Sequence, residues 1–216
     1  MKKNYRKSST DWMVFKKTFL LSLFLLCMAS LQLSAQSPTL EKLKQKFESG
    51  QVFTSDFDQS ETVDYTGETN YTSGVIWISN NAYKVELDLR TVAVDGETTR
   101  TYEEDRNRLI ISPYDPAETE FAPSRLLEGS EDLYNATERE VSEGTAVTLE
   151  SVDEFSESRS IEIILDFELR PVRIRRVDFS DNVTVIEFNS GRFIDRRDEI
   201  FSISIPDDAE IIDLRE

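Results

Sequence analysis

Residues 83–88 read Tyr83-Lys84-Val85-Glu86-Leu87-Asp88, apolar at every odd position and charged at every even one. In an extended chain successive side chains point to opposite faces, so this stretch is a strand with one face buried and one in water. Phe53, Ser55 and Phe57 alternate in the same way with Thr54, Asp56 and Asp58. Ile161, Ile163, Leu165 and Phe167 share a third face, and Phe201, Ile203 and Ile205 a fourth, with serines between them. Shorter strands are predicted at 92–94, 109–111, 147–149 and 183–188. Clean alternation is the habit of antiparallel sheets, which keep one side wet. Parity slips between Ile174 and Val177, and again between Val185 and Ile186, predict bulges that bend the sheet.

Two stretches break the period of two. Ser37 can cap a helix and Pro38 suits a first helical position, while Leu40, Leu43 and Phe47 recur at helical spacing and Gly50 ends the run. Farther on, Pro113 and Pro116 mark a turn, and Pro123 leads into Ser124-Arg125-Leu126-Leu127-Glu128, a second predicted helical segment between strands. No internal repeat or long linker divides the chain. The fold class expected is mainly β: one strongly curved antiparallel sheet with helices at the start and middle.

Composition narrows the chemistry. The 216 residues contain no histidine, seven glycines and one cysteine, and 42 acids stand against 25 bases for a net charge of −17. Without histidine there is no imidazole base, no Ser-His-Asp machinery and no His-ligated metal. The acidity opposes nucleic-acid binding, which draws on Lys and Arg. Neither a G-x-G-x-x-G motif nor a Gly-Lys pair for a phosphate loop is present. No cofactor is expected.

The N-terminal segment reads as an export signal. Lys16 and Lys17 precede an apolar run from Thr18 to Leu31, and small residues at Ser34-Ala35 complete a signal-peptide pattern over 1–35. The run is too short and too rich in serine for a spanning helix of about 20 apolar residues. Cys27 is not read as a lipid attachment site, because bulky Leu25 and Leu26 precede it. Met13 would make a tidier start than Met1. Cleavage after Ala35 would remove six bases, one acid and the cysteine, leaving 181 residues in a single domain, 36–216, with net charge −22. A thiol-free chain in an oxidising compartment has no disulfides to rely on and is stabilised by its core.

Several motifs then fall in order. They are Phe53-x-x-x-Phe57-x-Gln59 after the first helix, Gly74-Val75-Ile76-Trp77-Ile78 followed by Tyr83 to Leu87, and Val94-Asp95-Gly96 with Tyr102. Pro123 before Leu126-Leu127 comes next, and the ending Phe201-Ser202-Ile203-Ser204-Ile205-Pro206 with Ala209 to Asp213 is last. Together they resemble the LolA family of periplasmic outer-membrane lipoprotein carriers over the whole of 36–216. The resemblance implies an incomplete antiparallel β-barrel whose apolar interior is covered by helices and shelters the acyl chains of lipoproteins. It implies as partners acylated lipoproteins, an inner-membrane ABC exporter and an outer-membrane acceptor, with the protein a monomer in the periplasm. Where that family carries an Arg-Pro pair after the Trp-containing strand, this chain has Asn80-Asn81. The family's arginine is associated with latching its lid, and Asn80 supplies no charge for that purpose.

On this reading the cavity wall is Phe53, Phe57, Tyr83, Val85 and Leu87, and the lid is Leu40, Leu43, Phe47, Leu126 and Leu127. Ordinary core packing accounts for the same pattern equally well from the sequence alone. Acid pairs such as Asp56/Asp58 and Asp207/Asp208 are expected from so acidic a chain and carry no motif context for catalysis. No calcium-loop pattern or other metal site is found. The protein is expected not to be an enzyme. The alternative kept open is a periplasmic carrier or sensor of another hydrophobic ligand, such as a lipid-linked pigment or glycolipid.

Overall fold

The computed structural model describes residues 37–115, 134–153, 156 and 158–215. The predicted signal segment, 1–35, and the predicted helix with Leu126 and Leu127 lie outside the described residues.

Helix α1 (Pro38–Glu48) forms where the spacing places it. Ser37 is extended and its hydroxyl accepts the Leu40 N–H at 3.1 Å, so one orphan donor of the first turn is satisfied. The chain leaves the helix through Gly50, whose φ of +86° favours glycine.

Two meanders build the sheet. The first contains β1 (Gln51–Thr62), β2 (Thr69–Ile78), β3 (Tyr83–Glu86), β4 (Arg90–Val94), β5 (Thr98–Glu103) and β6 (Arg108–Pro113). The second contains β7 (Tyr134–Val141), β8 (Gly144–Ser151), β9 (Ser160–Asp166), β10 (Pro171–Val177) and β11 (Val183–Asp195). β11 pairs antiparallel with β1 and joins the two halves, and β12 (Glu210–Asp213) adds to β6 in parallel. The result is one curved, unclosed sheet, β12-β6-β5-β4-β3-β2-β1-β11-β10-β9-β8-β7, antiparallel except at β12.

The bulges differ from those expected. Pairing runs without a shift through Ile174 to Val177 and through Val185 and Ile186. The parity slips there reflect residues buried on both faces, as with Val177 and Thr184. One irregularity instead sits in β10 between Pro171 and Arg173, where proline cannot donate to a ladder. The other sets Ser190 and Gly191 of β11 opposite Ser55 alone, with Ser190 at φ +60°. The Ser55 hydroxyl lies 2.8 Å from the Asn189 carbonyl oxygen, to which it donates.

Two other expectations are corrected. Phe167 does not share the face of Ile161, Ile163 and Leu165; it is 83% exposed in the β9–β10 turn. The Asp166 carboxylate draws that turn tight by accepting the Glu168 and Arg170 N–H groups. The stretch 201–205 is not a strand. A 3-10 turn at Asp198–Phe201 folds Phe201 against Val52 and Ala82 on the outer face, away from α1. Ile203 and Ile205 stay half-buried between exposed serines, so the alternation survives without a ladder among the described residues.

Candidate functional site

The inner face of the sheet and α1 share one apolar cluster. Alternation puts Phe53 and Phe57 of β1 inward with Ile76 and Ile78 of β2, Tyr83 and Val85 of β3, and Val94 of β4. From the other half come Ile186 and Phe188 of β11, Ile161, Ile163 and Leu165 of β9, Val147 and Leu149 of β8, and Ala136 of β7. Leu40, Leu43 and Phe47 close over them, α1 packing against β1 and β8. Five predicted wall residues and three predicted lid residues therefore meet in one place. Leu87 is only partly buried at its margin, as are Val92 and Tyr114.

Aromatic rings fill the centre. Phe53 packs edge-on against Phe188 at 5.5 Å and Phe193 at 5.7 Å, and Phe47 of the helix meets Phe193 at 6.0 Å. The Lys46 ammonium stands 4.6 Å from the centre of the Phe193 ring, covering it from the water side. Glycine is required at two contacts. A Cβ at Gly191 would come within 2.7 Å of the Phe53 ring, and one at Gly74 within 2.2 Å of the Glu86 carbonyl oxygen.

The helix is held at its N-terminus by one carboxylate from the edge of the second meander. Glu138 of β7 accepts the Thr39 N–H at 2.8 Å and the Thr39 hydroxyl at 2.8 Å, and it also accepts the Ser37 hydroxyl. A carboxylate there complements both the free N–H groups and the positive end of the helix dipole. Burial raises the Glu138 pKa, but these hydrogen bonds and the nearby Lys42 charge outweigh it and hold the carboxyl below its ordinary range.

A cleft of 380 Å³ opens where β10 and β11 part, because their ladder stops at Arg173 and Glu187 while β11 continues along β1 to Asp195. Pro171, Val172 and Phe188 line it with Gly191, and Arg192 stands among the polar lining residues. Phe188 belongs to both the cleft and the inner cluster, so one ring separates the cleft from Phe53.

Asn80 and Asn81 occupy the β2–β3 turn. The turn is closed by the Ser79 N–H, which donates to the Ala82 carbonyl at 2.8 Å. Its cation is supplied from elsewhere in the chain: the Arg196 guanidinium donates to the Asn81 side-chain oxygen at 2.9 Å and lies 5.4 Å from the Phe201 ring centre. Neither Arg196 nor Glu138 was signalled by the sequence, since their partners are about a hundred residues away. Ile186 and Phe188 could have been read from their alternation with Glu187, and Phe193 only with knowledge of the bulge. Among the described residues no cluster of three acids could hold a metal ion. Asp56, Asp58, Asp207 and Asp208 are all exposed.

No family model and no curated protein matches the chain. Among solved structures, an uncharacterized conserved protein from Thermus thermophilus superposes with a TM-score of 0.55 at 14% identity, over 82% of this chain and 99% of that one. A LolA superfamily protein from Nitrosomonas europaea matches with a TM-score of 0.43 at 11% identity, over 79% of this chain and 98% of that one. A domain described as an outer-membrane lipoprotein-sorting protein, from Vibrio parahaemolyticus, matches with a TM-score of 0.40 at 10% identity, over 76% and 94%. At these identities the likeness is one of fold, and this chain shares that of the Thermus thermophilus protein.

Proposed function

We propose that the protein is a carrier that shelters an acyl chain between α1 and the inner face of the sheet. The observation that carries this reading is the cleft between β10 and β11, whose apolar floor, Phe188, is also part of the inner cluster. Asp166, Arg170, Ser190 and Arg192 also line the cleft. Beyond Phe188 the inner cluster is aromatic and aliphatic, and burial of an acyl chain there is worth about 0.8 kcal/mol per methylene. Apolar contacts of Leu40, Leu43 and Phe47 with the sheet are exchanged for contacts with the ligand, so α1 can move outward without exposing its buried face. The inward-facing Ser55 hydroxyl is held between the Asp56 and Asn189 carbonyl oxygens.

The cargo that fits best is the lipid part of an acylated lipoprotein, carried through the periplasm from the inner to the outer membrane. The export signal read from 1–35, the acidic surface and the resemblance in motif order support it. The loading partner would be an inner-membrane ABC exporter and the recipient an outer-membrane acceptor. Asn80 in the place of the family's arginine keeps a second cargo in view, a lipid-linked pigment or glycolipid held in the same interior. Mass spectrometry of what co-purifies with the native protein separates the two. Diacylated or triacylated peptides support lipoprotein transport; another lipid redirects the cargo; and no bound lipid, with no saturable binding of a fluorescent fatty acid, refutes the carrier reading.

A further inference from the structure

Large apolar side chains stand in water at one end of the sheet, and they sit on turns that are tied together. Tyr65, in the β1–β2 turn, is 96% exposed; Phe179, in the β10–β11 turn, is 43% exposed; Val152, in the β8–β9 turn, is 57% exposed. Tyr71, near the same end of β2, is 80% exposed. Strand directions place all three turns at the end of the sheet away from α1's junction with β1.

These turns are braced against one another. The Asp64 N–H donates to the Asn182 side-chain oxygen at 3.0 Å, which links the β1–β2 and β10–β11 turns. Arg159 links the β8–β9 turn to the same place, with its N–H on the Val177 carbonyl at 2.8 Å and its guanidinium 2.5 Å from the Asp181 carboxylate. Within the β10–β11 turn, Asp178 accepts the Ser180 and Asn182 N–H groups at 2.8 and 2.9 Å, which fixes the loop that presents Phe179. Rings held on a preformed platform lose little entropy on docking, and Tyr and Phe are the residue types that anchor interfaces.

The charges around them select the partner. Glu61, Asp64, Glu68 and Asp178 lie on the same turns or at their edges, and of the bases there Arg159 is paired with Asp181 and Arg176 stands near Asp178, whose charge it offsets. An anionic membrane would be repelled, and a second copy of this acidic chain would bring the same charge to the contact. We infer that this end is a docking surface for a protein that presents an apolar patch rimmed by lysine or arginine. The inference is independent of the carrier reading, because none of these residues belongs to the inner cluster.

The test uses the purified protein, a helical peptide of leucine and lysine with one apolar face as the partner surrogate, and vesicles containing phosphatidylglycerol as the competing surface. The expected result is peptide binding that weakens with salt and falls about tenfold or more in Tyr65→Ser/Phe179→Ser. Asp64→Lys/Glu68→Lys should flatten the salt dependence. Phe167→Ser, which removes a comparably exposed ring between Asp166 and Glu168 at the opposite end, should leave binding within about twofold. Circular dichroism checks that the variants keep their fold. Equal loss in Phe167→Ser, or no loss in Tyr65→Ser/Phe179→Ser, overturns the inference. So does vesicle binding, or concentration-dependent dimerisation, that depends on Tyr65 and Phe179 while peptide binding does not.

Discussion

Replacing Glu138 with alanine should release the N-terminus of α1 without disturbing the sheet. The substitution leaves the Thr39 N–H and hydroxyl and the Ser37 hydroxyl without their acceptor. Hydrogen bonds to a charged group contribute about 1.5–3 kcal/mol each where they are buried. Ser37 and Thr39 are buried, but the outer part of Glu138 is in water, which can replace some of what is lost. The three bonds also share one carboxylate and are not additive, so a net effect of about 1–2 kcal/mol is the reasonable figure. If α1 opens as a local unit, the loss appears in its opening equilibrium, and amide exchange in the helix should accelerate by about 5- to 30-fold. Hydrogen exchange followed residue by residue reads this directly, with the β8 and β9 amides as internal reference. A fluorescent fatty acid should also bind faster to the variant. Unchanged exchange in α1, or equal acceleration in α1 and β9, would refute the role of Glu138 as the clamp of a separately opening helix.

The same clamp predicts a pH dependence. Because the folded pKa of Glu138 is lowered, its stabilisation is complete above the unfolded carboxylate range, about 4.3, and is lost as pH falls through the folded value. Helix exchange should therefore accelerate below about pH 4 in the parent protein, and Glu138→Gln should show no such step. Gly191→Ala drives a methyl into the Phe53 ring and should cost about 1–3 kcal/mol in urea unfolding, whereas exposed Gly67 should tolerate alanine with a smaller loss, set by its positive φ. Arg196→Met removes the guanidinium from Asn81 and should lower the Tm by about 2–4 °C, while fatty-acid affinity stays unchanged. Leu43→Asp buries a charge under α1 and should detach the helix, seen as a rise in the binding of a hydrophobic dye.

Most of the sheet was legible because local alternation and burial agree. Tyr83 to Glu86 pair with β2 and β4 in the register that keeps Tyr83 and Val85 inside, and any slip by one residue would bury Lys84 and Glu86. The first helix was legible for a similar reason, since cap, proline and apolar stripe all point to the same eleven residues. Phe167 and Phe201 were misplaced because alternation continues past the point where a turn begins. Asp166 closes its turn through backbone donors, and the 3-10 turn after Arg197 redirects Phe201 to the outer face. Sequence reading also placed the bulges wrongly. A bulge is decided by what both partner strands need, and here Ser55 and Gly191 decide it from positions more than 130 residues apart. Glu138 looked like one more acid among 42, and only the arrival of α1 at β7 distinguishes it.

The most direct test of an acyl-sheltering interior is photocrosslinking of the purified protein with a fatty acid that carries a diazirine near its methyl end, followed by peptide mapping. Saturable labelling of α1 around Leu43 and of strands β1, β3 and β11 around Phe57, Val85 and Phe188, displaced by unlabelled fatty acid, is the predicted result. Labelling that does not saturate, or that falls on the outer face around Trp77 and Phe201, would contradict it.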